Sequence, residues 1–506
     1  VNLSYSLKRE IICANKTGAY CNTSIVTCNT RRYHGLLAVP VDAFGGKKHL
    51  LLSSLDESLI LNGKRFNLGI HCYGSVYEPR GHKYIIDFEA DPVPKITYRV
   101  GEITFTKSIL LVPDSDQVMI RFELVKAPAK VRLLLTPFLA FRDIHALTDE
   151  NPNARTDGWE IPNGMSFNLY DGFPDLNMQF NTKDVSFVTT PCWYKGVTYS
   201  DEYRRGFACK EDLYVPGHFE TEMKPGDTIV FSASVGLTTP SGLKRKFDSY
   251  VAKAARITTY HEQLVHCADL LKQDRGGHKM ITAGFSWLYT GLLRETLEAL
   301  PGLTLYANGD KAEFEEILDN LIADNQDRLF HRTTQVDSPL TLADTLSRYI
   351  EFGADPKAVW KKYGQTVKGI LESYLPGRRG EVAMQPNGLL WAQLDHWALS
   401  WMNAYIDGEP VTERPGYQVE TNALWFRSIL FAVTMEREYS KKDSAFLKEW
   451  SHILDLVREN YQKTFWNARA GYLADYVDNA GQHLEVRPNM LCALLGDEMP
   501  VDAEVA

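Results

Sequence analysis

The tripeptide Pro240-Ser241-Gly242 divides the sequence into two parts with different hydrophobic patterns. Before it, apolar residues alternate with polar ones, as in the runs Ile96, Tyr98, Val100 and Val118, Ile120, Phe122, Leu124. After it, they recur at positions i, i+3, i+4, i+7 and i+8, as in Phe314, Ile317, Leu318, Leu321, Ile322. The first pattern is typical of antiparallel strands and the second of amphipathic helices.

This change of period predicts a multidomain chain in which β structure precedes α structure. The many short strands favour a β-sandwich over residues 1–236. The charged, helix-patterned stretch from Lys244 to Gln273 predicts a helical linker over residues 237–272. Residues 273–506 are then expected to form a helical domain.

Composition excludes several classes of protein. The chain has 506 residues, 44% of them hydrophobic, and a formal charge of −9, which gives no electrostatic footprint for nucleic acid. No apolar run reaches the ~18 residues of a membrane helix, and the N-terminus has no signal segment, so we expect a cytoplasmic protein without a membrane partner. Val1 and the ordinary residues before Ala506 suggest that both ends are incomplete.

No pattern indicates a cofactor or a metal. The eight cysteines form no CxxC pair, and the 13 histidines show no ligand spacing. Phosphate-loop, nucleophile-elbow, zincin and dinucleotide motifs are absent. We therefore predict a protein that needs neither metal nor cofactor.

The stretch 389–425 is rich in both aromatic and acidic residues. It contains four tryptophans and several polar side chains: Trp391, Trp397, Trp401, Trp425, Asp395, Asn403, Glu409, Glu413, Arg414 and Glu420. Sugars are bound by such sets, because aromatic rings cover C–H faces while charged groups bind hydroxyls. Aromatic core packing explains the tryptophans equally well.

Two other polar positions have ordinary structural interpretations. Arg294 and Glu295 are typical of a solvated first helical turn, and Asp344 is typical of an N-cap carboxylate.

Several longer motifs carry a resemblance to a known family. They are the runs Cys28-Asn29-Thr30-Arg31-Arg32-Tyr33-His34-Gly35-Leu36-Leu37, Leu300-Pro301-Gly302-Leu303, Ser400-Trp401-Met402-Asn403-Ala404, the PVTERPGYQVETNALW run of 410–425, and Arg487-Pro488-Asn489. In this order they resemble the bacterial and archaeal glycogen debranching enzymes of the amylo-α-1,6-glucosidase type. The resemblance covers nearly the whole chain.

The resemblance implies a β-sandwich followed by an (α/α)6 toroid, here incomplete at its C-terminal end, that binds glycogen or another branched α-glucan. It also implies inverting hydrolysis of α-1,6-linked glucose, which needs an acid and a base roughly 6.5–9.5 Å apart. By this resemblance the glucose site is lined by Trp287, Arg294, Glu295, Asp344, Trp401 and Glu420. The family's base is expected beyond Ala506.

The family's general acid is the Asp of a Thr-Trp-Met-Asp motif, and that position is Asn403 here. An amide cannot donate a catalytic proton at neutral pH. Asp395 is then the first candidate for another acid. Two alternatives follow: a glucan-binding relative that lost the chemistry, and another inverting α-glucosidase of the same toroid class.

Two further groups have competing interpretations. Glu420 either binds substrate or forms an ion pair with Arg414. The polar residues of the β half either line the domain junction or form a buried ion-pair network: Arg31, Arg32, His34, Arg142, Asp143 and His145.

Overall fold

The computed structural model describes residues 1–506 except 255, 286–287, 289, 333, 381, 441–443 and 497. The chain divides into two compact units. The first comprises Val1–Lys279 with Gly284–Tyr289, and the second comprises Met280–Ala283 with Thr290–Ala506.

In the first unit, strands and two short helices are followed by the two helices of the predicted linker, α3 and α4. The helices are α1 (Leu3–Ser6), α2 (Ser200–Arg204), α3 (Leu243–Lys253) and α4 (Tyr260–Leu271). The strands are β1 (Glu10–Ala14), β2 (Tyr20–Ser24), β3 (Gly35–Val41), β4 (Lys47–Leu61), β5 (Lys64–Asn67), β6 (His71–Tyr73), β7 (Val76–Glu78), β8 (Ile85–Glu89), β9 (Lys95–Val100), β10 (Ile103–Leu111), β11 (Gln117–Lys126), β12 (Val131–Asp143), β13 (Trp159–Ile161), β14 (Gly164–Phe167), β15 (Leu176–Phe180), β16 (Ser186–Thr198), β17 (Lys210–Met223) and β18 (Thr228–Ser234).

Two eight-stranded sheets organise this unit. One has the order β1-β2-β3-β4-β12-β17-β16 with β5 paired to β4, and the other has the order β13-β14-β15-β18-β11-β10-β9-β8. Neighbouring strands pair antiparallel. Residues from both sheets share one apolar core, in which the Phe105 and Phe122 rings stack with centroids 5.8 Å apart. The prediction of a sheet-rich N-terminal domain is confirmed.

The polar residues of the β half form ion pairs within the first unit. Arg142 donates to both carboxylate oxygens of Glu211, and the Tyr199 hydroxyl donates to the same carboxylate. All three side chains are buried. Such a pair fixes one arrangement of the strands, because a lone buried charge would be strongly destabilising.

A second ion pair joins β1 to the motif at 28–37. Arg31 Nε lies 2.9 Å from Glu10 Oε1, and His34 Nε2 lies 3.5 Å from the same oxygen. Burial favours a higher pKa for Glu10, but its partners His34 and Arg31 outweigh burial and lower the pKa to about 2. The folded pKa is therefore below the unfolded one, so this carboxylate stabilises the fold above pH 4.5 and that contribution is lost as pH falls toward 2.

We expect Glu10→Gln to lower the free energy of unfolding by about 1 kcal/mol at pH 7, a value that allows for partial solvent screening. The difference from the parent protein should shrink as the pH falls below 4.5. Urea unfolding at pH 7 and pH 3 measures this. Glu78→Gln is the control, because Glu78 and its partner Arg80 are both about half exposed. A Glu10→Gln penalty equal at both pH values would contradict the ion-pair explanation.

The second unit is mainly helical. Strands β19 (Lys272–Arg275) and β20 (His278–Ile281) come before its helices in the sequence. The helices are α5 (Leu293–Leu300), α6 (Lys311–Asp324), α7 (Gln326–Phe330), α8 (Thr341–Glu351), α9 (Pro356–Ser373), α10 (Val419–Tyr439) and α11 (Ala445–Phe465). A π-helix spans Pro301–Tyr306. Very short strands lie between or after the helices: β21 (Ala383–Met384), β22 (Leu390–Trp391), β23 (Tyr405–Ile406), β24 (Glu409–Pro410), β25 (Tyr417–Gln418), β26 (Trp466–Asn467), β27 (Tyr472–Leu473), β28 (Tyr476–Asp478) and β29 (Gly481–His483).

Helix α10 lies at the centre of this unit and packs against α8, α9 and α11. Its Trp425 is fully buried, and the ring lies 5.7 Å from that of Trp450 on α11. The hydrophobic spacing of α6 is confirmed, because Phe314, Ile317, Leu318 and Leu321 are all buried. None of the helices in the described part of the chain is long and apolar enough to cross a bilayer.

One arginine organises the loop after α9. Arg379 is almost fully buried, and its guanidinium donates to the carbonyl oxygens of Leu329 and Arg332 and to the Ser373 hydroxyl. Leu329 belongs to α7, whose last carbonyls have no partner within the helix. Arg379 therefore caps α7 from a distant loop.

Candidate functional site

A cavity of about 360 Å³ lies in the second unit. Helices α5, α8 and α10 supply most of its wall. The lining residues of α8 and α10 recur at spacings of three, four and seven, so each set lies on one face of its helix. The contributors are Leu297 and Glu298 of α5, Thr341, Asp344, Thr345 and Arg348 of α8, Glu420, Leu424 and Arg427 of α10, and Asp337, Trp401, Cys492 and Leu495 from connecting segments. Its volume is within the range of small-ligand sites.

An ion pair joins α8 to α10 across the cavity. Arg427 Nη2 lies 2.7 Å from Asp344 Oδ2, and Arg427 Nε lies 3.0 Å from Asp344 Oδ1. The Asp344 side chain is still 34% exposed. Asp344 is therefore a fixed carboxylate with an open side toward the cavity, and its partner is an arginine rather than the helix amides of an N-cap.

Glu420 belongs to a buried ion-pair network at the cavity wall. Its two carboxylate oxygens accept hydrogen bonds from Arg414 at 2.5 and 2.7 Å, and Arg414 Nε lies 2.8 Å from Asp475 Oδ2. Burial raises the pKa of Glu420, whereas the bonds from Arg414 act in the opposite direction. Glu420 thus lines the cavity and also forms the ion pair with Arg414.

The same network reaches the aromatic wall. Asp475 accepts a hydrogen bond from Asn489 Nδ2 at 2.7 Å, and Asn489 Oδ1 accepts one from Trp401 Nε1 at 3.0 Å. Trp401 is 46% exposed, so its ring presents an apolar face. The position of this ring is consequently fixed by the charge network through Asn489.

Arg294 lies behind the wall rather than on it. It is buried, and its Nη2 atom donates to Asp337 Oδ1 at 2.8 Å. Asp337 is the residue that lines the cavity. The neighbouring Glu295 is partly buried and does not line the cavity.

The remaining sequence candidates lie elsewhere. Asn403 and Asp395 are both exposed, and neither lines the cavity. Trp287 lies outside the described residues. The structure therefore brings Asp344, Trp401 and Glu420 together in the cavity lining. Arg294 contacts the lining residue Asp337, and Asn403 and Asp395 are not part of the lining.

Five charged or titratable residues of the cavity lining were not anticipated from sequence: Glu298, Asp337, Arg348, Arg427 and Cys492. The sequence of α8 could have indicated the cavity, because Thr341, Asp344, Thr345 and Arg348 recur at helical spacing and form one polar stripe. In the described residues, no group of three or more His, Cys, Asp and Glu side chains is arranged to hold a metal ion.

Comparison with family models covers most of the chain. Residues 9–230 match the model described as "Glycogen debranching enzyme N terminal", and residues 261–505 match the model described as "Amylo-alpha-1,6-glucosidase". The chain belongs to the glycogen debranching enzyme family. It is therefore a glycoside hydrolase by family resemblance. A search of curated protein sequences found no match.

Solved structures add information about the fold of this debranching-family chain. A bacterial glucoamylase complexed with acarbose is 10% identical, covers 94% of this chain and 69% of its own, and has a TM-score of 0.50. This likeness supports a glucoamylase-like toroid for the helical unit. A GH78 rhamnosidase of Bacillus sp. GL1 is 13% identical and covers 75% of this chain and 35% of its own, but its TM-score of 0.31 is too low to bear on the fold.

Proposed function

We propose that this chain hydrolyses the α-1,6-linked glucose left at branch stubs of glycogen or limit dextrin, with inversion at the anomeric carbon. The observation that carries the proposal is the cavity of about 360 Å³, lined by carboxylates, arginines and an exposed tryptophan, within the residues that match the amylo-α-1,6-glucosidase model. The proposal includes an (α/α)6 toroid for the helical part and domain limits of 1–236, 237–272 and 273–506.

The cavity offers both surfaces that a glucose unit requires. The exposed face of Trp401 suits the apolar C–H face of a sugar ring. Asp344 and Arg427, held together at 2.7 Å, can accept from and donate to adjacent hydroxyls. Arg294 and Glu420 act as positioning residues, because each is held by a buried ion pair next to the cavity.

The test is release of glucose from a phosphorylase-limit dextrin whose branch stubs have been trimmed to one residue. Proton NMR of the first product distinguishes the anomers, and inversion of an α-linkage gives β-glucose first. We expect β-glucose together with loss of the α-1,6 anomeric signal. Initial release of α-glucose would contradict inversion, and release from α-1,4 chains alone would favour another α-glucosidase of the same toroid class.

The second candidate is a glucan-binding protein without hydrolysis. The observation that favours it is Asn403, which stands where the family has its proton donor and is exposed outside the cavity. Retarded migration in glycogen-containing native gels, with no glucose released, would support this candidate. Absence of both binding and release would contradict both functions.

A further inference from the structure

Glu298 differs from the other acidic residues of the cavity. Asp337, Asp344 and Glu420 are each paired with an arginine, at 2.8, 2.7 and 2.5 Å respectively. Glu298 lines the same cavity, but its side chain has no hydrogen bond or ion pair within the described part of the chain. It is therefore the acidic side chain there whose oxygens are not committed to another protein group.

The position of Glu298 on α5 explains this difference. Leu297, the preceding residue, is buried and lines the wall, while Arg294, one helical turn earlier, is turned toward Asp337. Glu298 is on the exposed side of α5, and its side chain has no partner among the residues that the structure describes. A carboxyl in this situation can rotate toward a bound ligand without breaking a protein contact.

The electrostatic environment favours the protonated form. Partial burial of the carboxyl at the cavity wall is the main cause that raises the pKa of Glu298, and the Asp337 and Glu295 carboxylates add to it, while Arg294 and Arg348 act against it. The other charged or titratable groups of the cavity are Asp344, Glu420, Arg427 and Cys492. A raised pKa makes a carboxyl a better proton donor, and general-acid catalysis of glycoside cleavage needs such a donor beside the glycosidic oxygen.

Glu420 is unsuited to this task for a geometric reason. Both of its oxygens accept hydrogen bonds from Arg414, and its side chain is only 3% exposed. A transferable proton would have to replace one of those bonds. Asn403 has no acidic proton to give.

We propose that Glu298 is the proton donor to the glycosidic oxygen, an inference that rests on the proposed hydrolase function. The carboxyl proton moves to that oxygen as its bond to the anomeric carbon breaks, and the shortened glucan leaves as an alcohol. A water molecule adds to the anomeric carbon and loses a proton to solvent. Solvent also returns a proton to Glu298, so atoms and charge balance over one turnover.

The test compares two substrates whose leaving groups differ in their need for a proton. A branched dextrin needs acid assistance, whereas α-glucosyl fluoride loses fluoride without it. We expect Glu298→Gln to lower kcat/KM on the dextrin by about 10²–10⁴-fold and on the fluoride by less than about 10-fold. The alkaline limb of the pH profile on the dextrin should also disappear.

Three other variants complete the experiment. Glu351→Gln, on an exposed position of α8 away from the cavity lining, is the matched control and should retain parental activity. Glu298→Asp keeps an acid at this position, so it should retain the alkaline limb of the pH profile on the dextrin. If the Gln variant does not fold, the pH profile of Glu298→Asp is the measurement that tests the proposal. Asn403→Asp tests the family position for the donor.

Each remaining outcome is decisive. Equal losses of Glu298→Gln on both substrates, or no loss on either, would overturn the assignment of Glu298. A 100-fold or larger gain from Asn403→Asp would place the missing donor at 403 and would also overturn it. A parent protein that cleaves the fluoride but not the dextrin lacks a donor, which overturns Glu298 but not the hydrolytic cavity. A parent protein that cleaves neither substrate overturns the proposed function itself.

Discussion

Replacement of Arg414 by methionine is expected to lower the free energy of unfolding by about 3–5 kcal/mol. The guanidinium is 1% exposed and is the partner of two buried carboxylates, Glu420 and Asp475. Methionine fills a similar volume but leaves Glu420 charged and unpaired in a low-dielectric interior. Urea unfolding followed by far-UV circular dichroism measures the loss.

Two variants separate this explanation from a general effect of the substitution. Lys463→Met removes an exposed pair with Glu459, whose side chain is 63% exposed, and should change stability by less than about 0.5 kcal/mol. Adding Glu420→Gln to Arg414→Met removes one stranded charge and should restore part of the loss. If the double variant is less stable than Arg414→Met alone, the stranded charge is not the cause.

Asp344→Asn is expected to reduce kcat/KM for glucose release by about 10- to 100-fold. The Asp344 carboxylate is held by Arg427 at 2.7 Å and keeps an open side toward the cavity, so it is proposed to accept a hydrogen bond from a sugar hydroxyl. Asparagine preserves the shape but removes the charge that strengthens that bond. Most of the change should appear in KM if the bond is equally strong in substrate and transition state.

The control for Asp344→Asn is Asp319→Asn. Asp319 lies on α6, is 47% exposed and pairs with Lys362 away from the cavity lining. Its substitution should leave glucose release unchanged. Thermal melting of both variants verifies that they fold, because Asp344→Asn also weakens the link between α8 and α10. Unchanged kinetics in a folded Asp344→Asn protein would remove Asp344 from the proposed binding site.

Local periodicity predicted the elements well where one face of an element is buried. Val118, Ile120, Phe122 and Leu124 alternate because they form the face of β11 that packs on the core between the two sheets, and the buried residues of α6 recur with the helical period because they form its packed face. A period depends only on neighbouring residues, so it can be read from the chain directly. The extent of the sheets could not be read this way, since strand order depends on contacts that are distant in sequence.

The cavity was less predictable, because its pairs join distant residues. Asp344 and Arg427 are 83 positions apart, and only the packing of α8 on α10 brings them together. Glu298 looks like an ordinary polar position of an amphipathic helix until the facing helices are known. The aromatic stretch shows both expected behaviours, since Trp425 is a core residue and Trp401 is exposed at the cavity.

Arg379 has a consequence for proteolysis. Trypsin cleaves after arginine only when an extended segment around that residue can enter the protease active site. The Arg378 side chain is 54% exposed, whereas Arg379 is bound to Leu329, Arg332 and Ser373 and is closed to solvent. The peptide bonds after Arg378 and Arg379 are therefore expected to differ in their susceptibility to trypsin. In limited digestion, fragments that end at Arg378 should appear before fragments that end at Arg379, because release of Arg379 requires the C-terminal end of α7 to open.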